Sequence, residues 1–284
     1  MKLPMPITIN FVTIYKLIRK SMWFKRWFCK SVAEVPQVGK KQTALLYAIN
    51  DYPGNQNDLH GCLNDSRDVA KELDALYPGF KIKAFTNNKA TRNSFLTEVP
   101  KAIKELRPED FLLVHYSGHG TQVIDIHGDD ADGYDEGICL IDGVVIDDDI
   151  KEALLGIPDG ATVLLMFDSC FSGTITKDMN NAKIKFMPPP VTRKKKRKKI
   201  VRIPRSEMKW IVMSGCREDQ TSADAFINGE YHGAFTYYAL RALIPGITYR
   251  QWIDKIHKYL PSQNFEQVPT LEGRESLFDK KIFT

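Results

Sequence analysis

The sequence predicts an α/β fold: a mostly parallel sheet with helices on both faces. Three observations carry that expectation. The strand-like runs are continuously apolar instead of alternating, as in 43–49, 111–116 and 161–167, which suits strands buried on both sides. Helical patterns separate those runs, as in successive βαβ units. The chain has 284 residues, 43% hydrophobic and 26% charged. That suffices for one large domain or two small ones and excludes a collagenous, wholly disordered or multi-span membrane chain.

Taken in order, residues 43–50 read as a buried strand closed by Asn50, Asp51 and Pro53. Residues 62–76 carry Leu63, Val69, Leu73 and Leu76 at helical spacing. Residues 80–85 read as a strand and 92–106 as a helix. The strand 111–116 runs into a glycine turn. Residues 147–155 form a helix entered through aspartates, which favour a helix N-terminus. Two further core strands follow at 161–167 and 210–213, and helices at 231–243 and 249–260. Cys139 and Cys216 read as buried small hydrophobes, Trp252 and Tyr259 as core, and 128–136 as a turn near the sheet rim.

Residues 1–40 form a basic, aromatic leader. Trp23, Phe24, Trp27 and Phe28 interleave there with Lys16, Arg19, Lys20, Lys25 and Arg26. Two readings stand: a leader packed on the domain or partly disordered, or a helix on a membrane surface through residues 1–30. Residues 41–284 form the domain, with a large portion 41–179, a linker 180–206 and a small portion 207–284. The linker holds Pro188, Pro189 and Pro190 and then seven consecutive basic residues at 193–199, so it is expected to be exposed. That run accounts for the whole +5 net charge, and the folded body is not a general polyanion binder. The run itself reads as a solvated loop, a localisation signal or a nucleic-acid patch. Five cysteines without a CxxC pair imply free thiols in a reducing compartment, the cytoplasm.

Ligands of an open parallel sheet bind outside the carboxyl ends of its strands. One strand ends His-Tyr-Ser-Gly-His-Gly-Thr at 115–121 and another Phe-Asp-Ser-Cys-Phe-Ser-Gly at 167–173. His119 and Cys170 would share one rim, as a nucleophile and its proton partner. Gly118 and Gly120 allow a sharp turn and close approach to a substrate. The N–H groups at Gly120 and Cys170 can donate to a developing oxyanion. Ser117 and Asp168, each two residues before one of the pair, can line a common pocket.

These residues, with Gly-Cys-Leu-Asn-Asp at 61–65 and the stretch 214–225, resemble the metacaspases and related caspase-like cysteine peptidases across about residues 42–284. The resemblance implies a caspase-like three-layer sandwich, a His119–Cys170 dyad, and polypeptide cleavage after Arg or Lys. It matches Cys62 and Asp65 to the family's specificity pocket, where Asp65, Ser117 and Asp168 would hold a basic side chain and Asp224 would add to it. It also implies a monomer. In calcium-activated members the metal site uses an aspartate after the histidine motif and a pair opening the next helix, matched by Asp135, Asp147 and Asp148. The last family position falls on Lys177, beside Asp178, so an acidic loop without Ca²⁺ remains an equal reading.

A peptidase of this specificity would find a substrate in its own linker. Autoprocessing of a zymogen is expected at Arg193, Lys194, Lys195, Lys196, Arg197, Lys198, Lys199, Arg202 or Arg205. The rival readings are a caspase-fold scaffold or regulatory module, and a basic membrane- or nucleic-acid-associated protein.

Overall fold

The continuously apolar runs become the middle of one sheet. The computed structural model describes residues 39–124, 134–171, 182–188, 203–217 and 220–284. In chain order these form β1 (Gln42–Ala48), α1 (Cys62–Leu76), β2 (Lys81–Thr86), α2 (Arg92–Lys104) and β3 (Phe111–Ser117). Three further strands follow: β4 (Gly120–Ile124), β5 (Tyr134–Leu140) and β6 (Gly143–Ile146). Then come α3 (Asp147–Leu154), β7 (Thr162–Asp168), β8 (Lys183–Ile184), β9 (Trp210–Ser214), β10 (Ala223–Ile227) and β11 (Glu230–Gly233). The chain closes with α4 (Ala234–Ala242), α5 (Tyr249–Ile256), β12 (Thr270–Gly273) and α6 (Glu275–Phe278).

The main sheet has six strands in the order β12-β9-β7-β3-β1-β2. All its pairings are parallel except that of β12 with β9. Successive side chains of a strand face opposite ways, and here both ways are apolar. Leu45, Tyr47, Leu112, Val114, Val163 and Leu165 pack with Phe95, Val99 and Ile103 of α2 and Ile150 and Leu154 of α3. Ala44, Leu46, Phe111, Leu113, Leu164 and Met166 pack with Val69 and Leu73 of α1, Phe235 and Ala239 of α4, and Trp252 and Ile256 of α5. Helix, sheet and helix make the expected three-layer sandwich. Trp252 is fully buried, its indole N–H donating to the Ala239 carbonyl at 2.9 Å. Tyr259 is half-buried and stacks on Tyr238. Cys139 and Cys216 are buried, and the four cysteines of the described residues are free. No helix of the described residues is long and apolar enough to cross a membrane.

The structure departs from the sequence reading in four places. Residues 231–233 extend the hairpin of β10 and β11 instead of starting a helix, because Asp224 and Ala225 pair with Gly233 and His232. The helix 249–260 stops at Ile256 and continues as hydrogen-bonded turns to Leu260. Asp135 and Glu136 lie in β5, paired with Val123 and Gln122 of β4, not in a turn. Residues 182–188 of the supposedly exposed linker are built into the domain, with β8 paired to β10 and Lys185 fully buried.

Candidate active site

The register of the central strands sets the site. Ala48, Ser117 and Asp168 are neighbours across β1, β3 and β7, so His119 and Cys170, each two residues further on, leave the sheet at the same rim. The turn between β3 and β4 needs its glycines. A Cβ on Gly118 would lie 2.5 Å from the Tyr116 hydroxyl and 2.6 Å from that of Tyr52, and one on Gly120 would collide with the Cys170 carbonyl.

His119 is held through its backbone and its ring. Its N–H donates to the Tyr52 hydroxyl at 2.9 Å, and its carbonyl accepts from the Tyr116 hydroxyl at 2.6 Å. The Tyr52 ring lies 4.7 Å from the imidazole. His119 Nε2 is 2.7 Å from the Asn57 carbonyl. A carbonyl can only accept, so Nε2 carries the hydrogen and Nδ1 is left as the basic nitrogen. Among the described residues, Nδ1 has no hydrogen-bond partner. Burial pushes the imidazole below its ordinary pKa, which keeps it neutral and able to take a proton. Tyr52, Tyr116 and Asn57 escaped the sequence reading. A tyrosine in a strand or loop signals core, and a backbone carbonyl leaves no residue signature.

The Cys170 side chain is buried. Its Sγ lies 2.5 Å from the Ser222 N–H and 3.2 Å from the Ser222 carbonyl, so its hydrogen bonds go to β10's approach and not to His119. The backbone N–H groups of Cys170 and Gly120 converge, at 3.1 and 2.9 Å, on one acceptor: the carbonyl oxygen of Lys185. Two donors aimed at one carbonyl are the geometry that stabilises an oxyanion.

The Lys185 side chain enters the pocket assembled from the expected residues. Its ammonium lies 3.1 Å from Asp168 Oδ1, 3.3 Å from Asp65 Oδ2 and 2.9 Å from Ser117 Oγ, all fully buried. Asp65 also accepts from Ser117 Oγ at 2.7 Å and from the Gly233 N–H at 3.0 Å. Asp168 accepts from Ser222 Oγ at 2.7 Å and from the Thr236 N–H at 2.8 Å, in the first turn of α4, where a negative charge is favoured. Burial alone would raise the Asp168 carboxyl, but Lys185 and these donors hold it below its ordinary value. Burial raises the Asp65 carboxyl, and Lys185 only partly offsets that. Burial works against the Lys185 charge, yet Asp168, Asp65 and Asp224 outweigh it and keep the ammonium protonated. Removing one member of such a buried set costs about 3–5 kcal/mol.

Cys62 is buried beside this set, its thiol pushed up by burial. Asp224 has another task. Its carboxylate accepts the N–H groups of His60 and Gly61 at 2.6 and 2.8 Å, fixing the turn into α1, and it adds to the pocket only through its charge. Gly233 is a pocket residue that the sequence did not reveal. A Cβ there would collide with the Asp168 carboxylate and the Lys185 ammonium.

Asp135 is buried on β5, and Asp147 and Asp148 open α3. The Lys151 ammonium contacts Asp147 and lies 3.8 Å from Asp148. Of the acidic residues near them in sequence, Asp142 accepts the Arg92 backbone N–H and Asp149 pairs with the Arg92 guanidinium. Lys177, Asp178 and the basic residues 193–199 and 202 lie outside the described residues. Arg205 is described: it is exposed and paired with Glu272 at 3.0 Å. A second group, Asp68, Glu230 and His232, brings metal-ligand atoms within 4.8 Å of one another. Arg67 already bridges its two carboxylates at 2.9 and 2.6 Å.

The caspase domain family matches residues 41–280. Metacaspase-1 of Schizosaccharomyces pombe is 31% identical, the match covering 81% of this chain and 67% of that protein. Metacaspase-1 of Pyricularia oryzae is 30% identical, covering 86% and 74%. Among solved structures, a Geobacter sulfurreducens protein superposes with a TM-score of 0.65 at 26% identity, covering 86% of this chain and 98% of its own. Caspase-1 from Spodoptera frugiperda gives a TM-score of 0.53 at 14% identity over 83% of this chain and 87% of its own, a likeness of fold. The caspase domain match over residues 41–280, with these relatives, makes the chain a cysteine-type endopeptidase. Within that class, the chain belongs to the metacaspase family.

Proposed function

We propose that this peptidase cleaves after Lys or Arg through Cys170 and His119, and that in the conformation described here it is a zymogen holding its own first substrate, the Lys185–Phe186 bond. One observation carries the reading. The Lys185 ammonium sits between Asp65 and Asp168 while its carbonyl oxygen sits between the N–H groups of Gly120 and Cys170. A basic side chain in an acidic pocket, with its own carbonyl between two converging donors, is how a substrate would lie.

The chemistry follows from these positions. Cys170 Sγ leaves its Ser222 contacts and attacks the Lys185 carbonyl carbon, and His119 Nδ1 takes the thiol proton. The oxyanion is held by the two N–H groups. Collapse breaks the C–N bond as the imidazolium gives its proton to the Phe186 nitrogen, leaving a thioester on Cys170 and a free amino group on Phe186. Water, deprotonated by His119, hydrolyses the thioester. Until that occurs, Lys185 excludes other basic side chains from the pocket.

The basic run 193–199, with Arg202 and Arg205, provides further sites for the same activity. Calcium is the proposed trigger. Asp135, Asp147 and Asp148 would supply hard oxygen ligands; their ligand atoms do not all lie within 4.8 Å of one another here, so the metal would have to draw them together and displace Lys151 from the last two.

Purified protein and its Cys170→Ala variant, each incubated with calcium and with chelator, test this reading by N-terminal sequencing of the fragments. A new N-terminus at Phe186, formed only with Cys170 and calcium present, is expected. A chain cut only within 193–205 would remove Lys185 as the first site, and equal cutting in chelator would remove calcium as the trigger.

A further inference from the structure

The segment that carries Lys185 does not end at the bond to be cut. Gly120 grips it on both sides. Its N–H donates to the Lys185 carbonyl at 2.9 Å, and its carbonyl accepts the Met187 N–H at 2.9 Å. Phe186, between these contacts, forms a parallel bridge with Gly120. On the other side, the Lys185 N–H donates to the Ser222 carbonyl at 3.1 Å, and Lys183 and Ile184 pair antiparallel with β10. The segment thus spans the cleft as an added strand, running from β10 to the start of β4. Main-chain hydrogen bonds of this kind give affinity, and alternate side chains give specificity.

Residues 185 and 187 face the same side of an extended strand. Lys185 is buried in the acidic pocket. Met187 is half-buried and packs against the apolar core on the α2 and α3 side of the sheet. Lys183, two residues the other way, is exposed and only reaches the Asp58 carbonyl, at 2.5 Å. Pro188 is exposed and has no N–H to extend the ladder. Phe186 and Met187 are both half-buried, and of the two it is Met187 that packs against the apolar core.

We propose that the cleft has a subsite on the leaving-group side that takes an apolar side chain two residues beyond the scissile bond, with Gly120 anchoring the backbone. The preferred polypeptide substrates then carry Lys or Arg with an apolar residue two places beyond it. The inference rests on the reading of the Lys185 segment as a bound substrate.

Full-length enzyme with calcium is given quenched peptides of sequence Ala-Lys-Ile-Lys-Phe-Xaa, with Met, Leu or Asp at the last position and a common neutral tail. A reporter with aminocoumarin directly after Ala-Lys-Ile-Lys is run beside them. The Met and Leu peptides should agree within about twofold in kcat/KM, and the Asp peptide should be at least about tenfold worse, because an apolar contact is replaced by a desolvated charge. Within the chain, Met187→Asp should slow cutting after Lys185, and Met187→Leu should not. Equal rates for all three peptides, with the reporter cut, would overturn the subsite and leave basic specificity intact. If neither reporter nor any peptide is cut, the subsite and the reading beneath it both fall.

Discussion

His115 and His119 lie four residues apart at the end of β3, and both are buried, but only one is placed for chemistry. His119 keeps Nδ1 uncommitted at the rim. His115 sits inside the sheet with Nε2 3.2 Å from Thr236 Oγ1, and burial pushes its pKa from 6.5 down to about 4. Below pH 6.5 the unfolded chain therefore takes up a proton that the folded chain refuses. The resulting stability is present above pH 6.5 and is lost as pH falls towards 4, amounting to about 3 kcal/mol. Urea midpoints measured from pH 7 to 4.5 should drop accordingly, and His115→Gln should flatten much of that slope. An unchanged slope in the variant would mean that other buried groups carry the acid sensitivity.

At the level of elements, β4 holds an unusual position. It begins at Gly120, the residue that both donates to and accepts from the bound segment, and its backbone touches the Cys170 carbonyl. Gly120→Ala should push the strand away from Cys170 and disable one of the two donors. Losing an oxyanion donor costs on the order of a hundredfold in kcat, so kcat on a basic reporter should fall by at least that much, with KM changed far less. A KM effect with kcat preserved would place the strand in binding alone. The strands 43–49, 111–116 and 161–167 were legible because burial on two faces leaves an uninterrupted apolar run. Ser117, His119, Asp168 and Cys170 were legible because they follow such runs directly. The hairpins of β4, β5 and β6 and of β10 and β11 were not. Their sequences mix glycine and polar residues with apolar ones instead of forming an uninterrupted apolar run, so their composition resembles that of loops. Lys185 was hidden for a different reason. In a basic linker one more lysine reads as a solvated charge, and only the register of β8 against β10 sends it inward.

For the molecule as a whole, the self-bound lysine has a consequence in time and dilution. A segment tied into the same chain meets the cleft at an effective concentration fixed by its tether, of millimolar order for short flexible connections, whatever the concentration of protein around it. Conversion of the intact chain should then be a first-order process. At 0.1 and 10 μM protein (about a hundredfold apart) the half-time of cutting after Lys185 should agree within about twofold, as read from gel densitometry. A half-time that shortens in proportion to concentration would mean that one molecule cuts another. Conversion of that kind would make each copy an independent clock. If conversion proves first-order, the fraction converted would report how long the trigger had lasted, not how many copies were present, and a cell holding few molecules would read the same signal as a cell holding many.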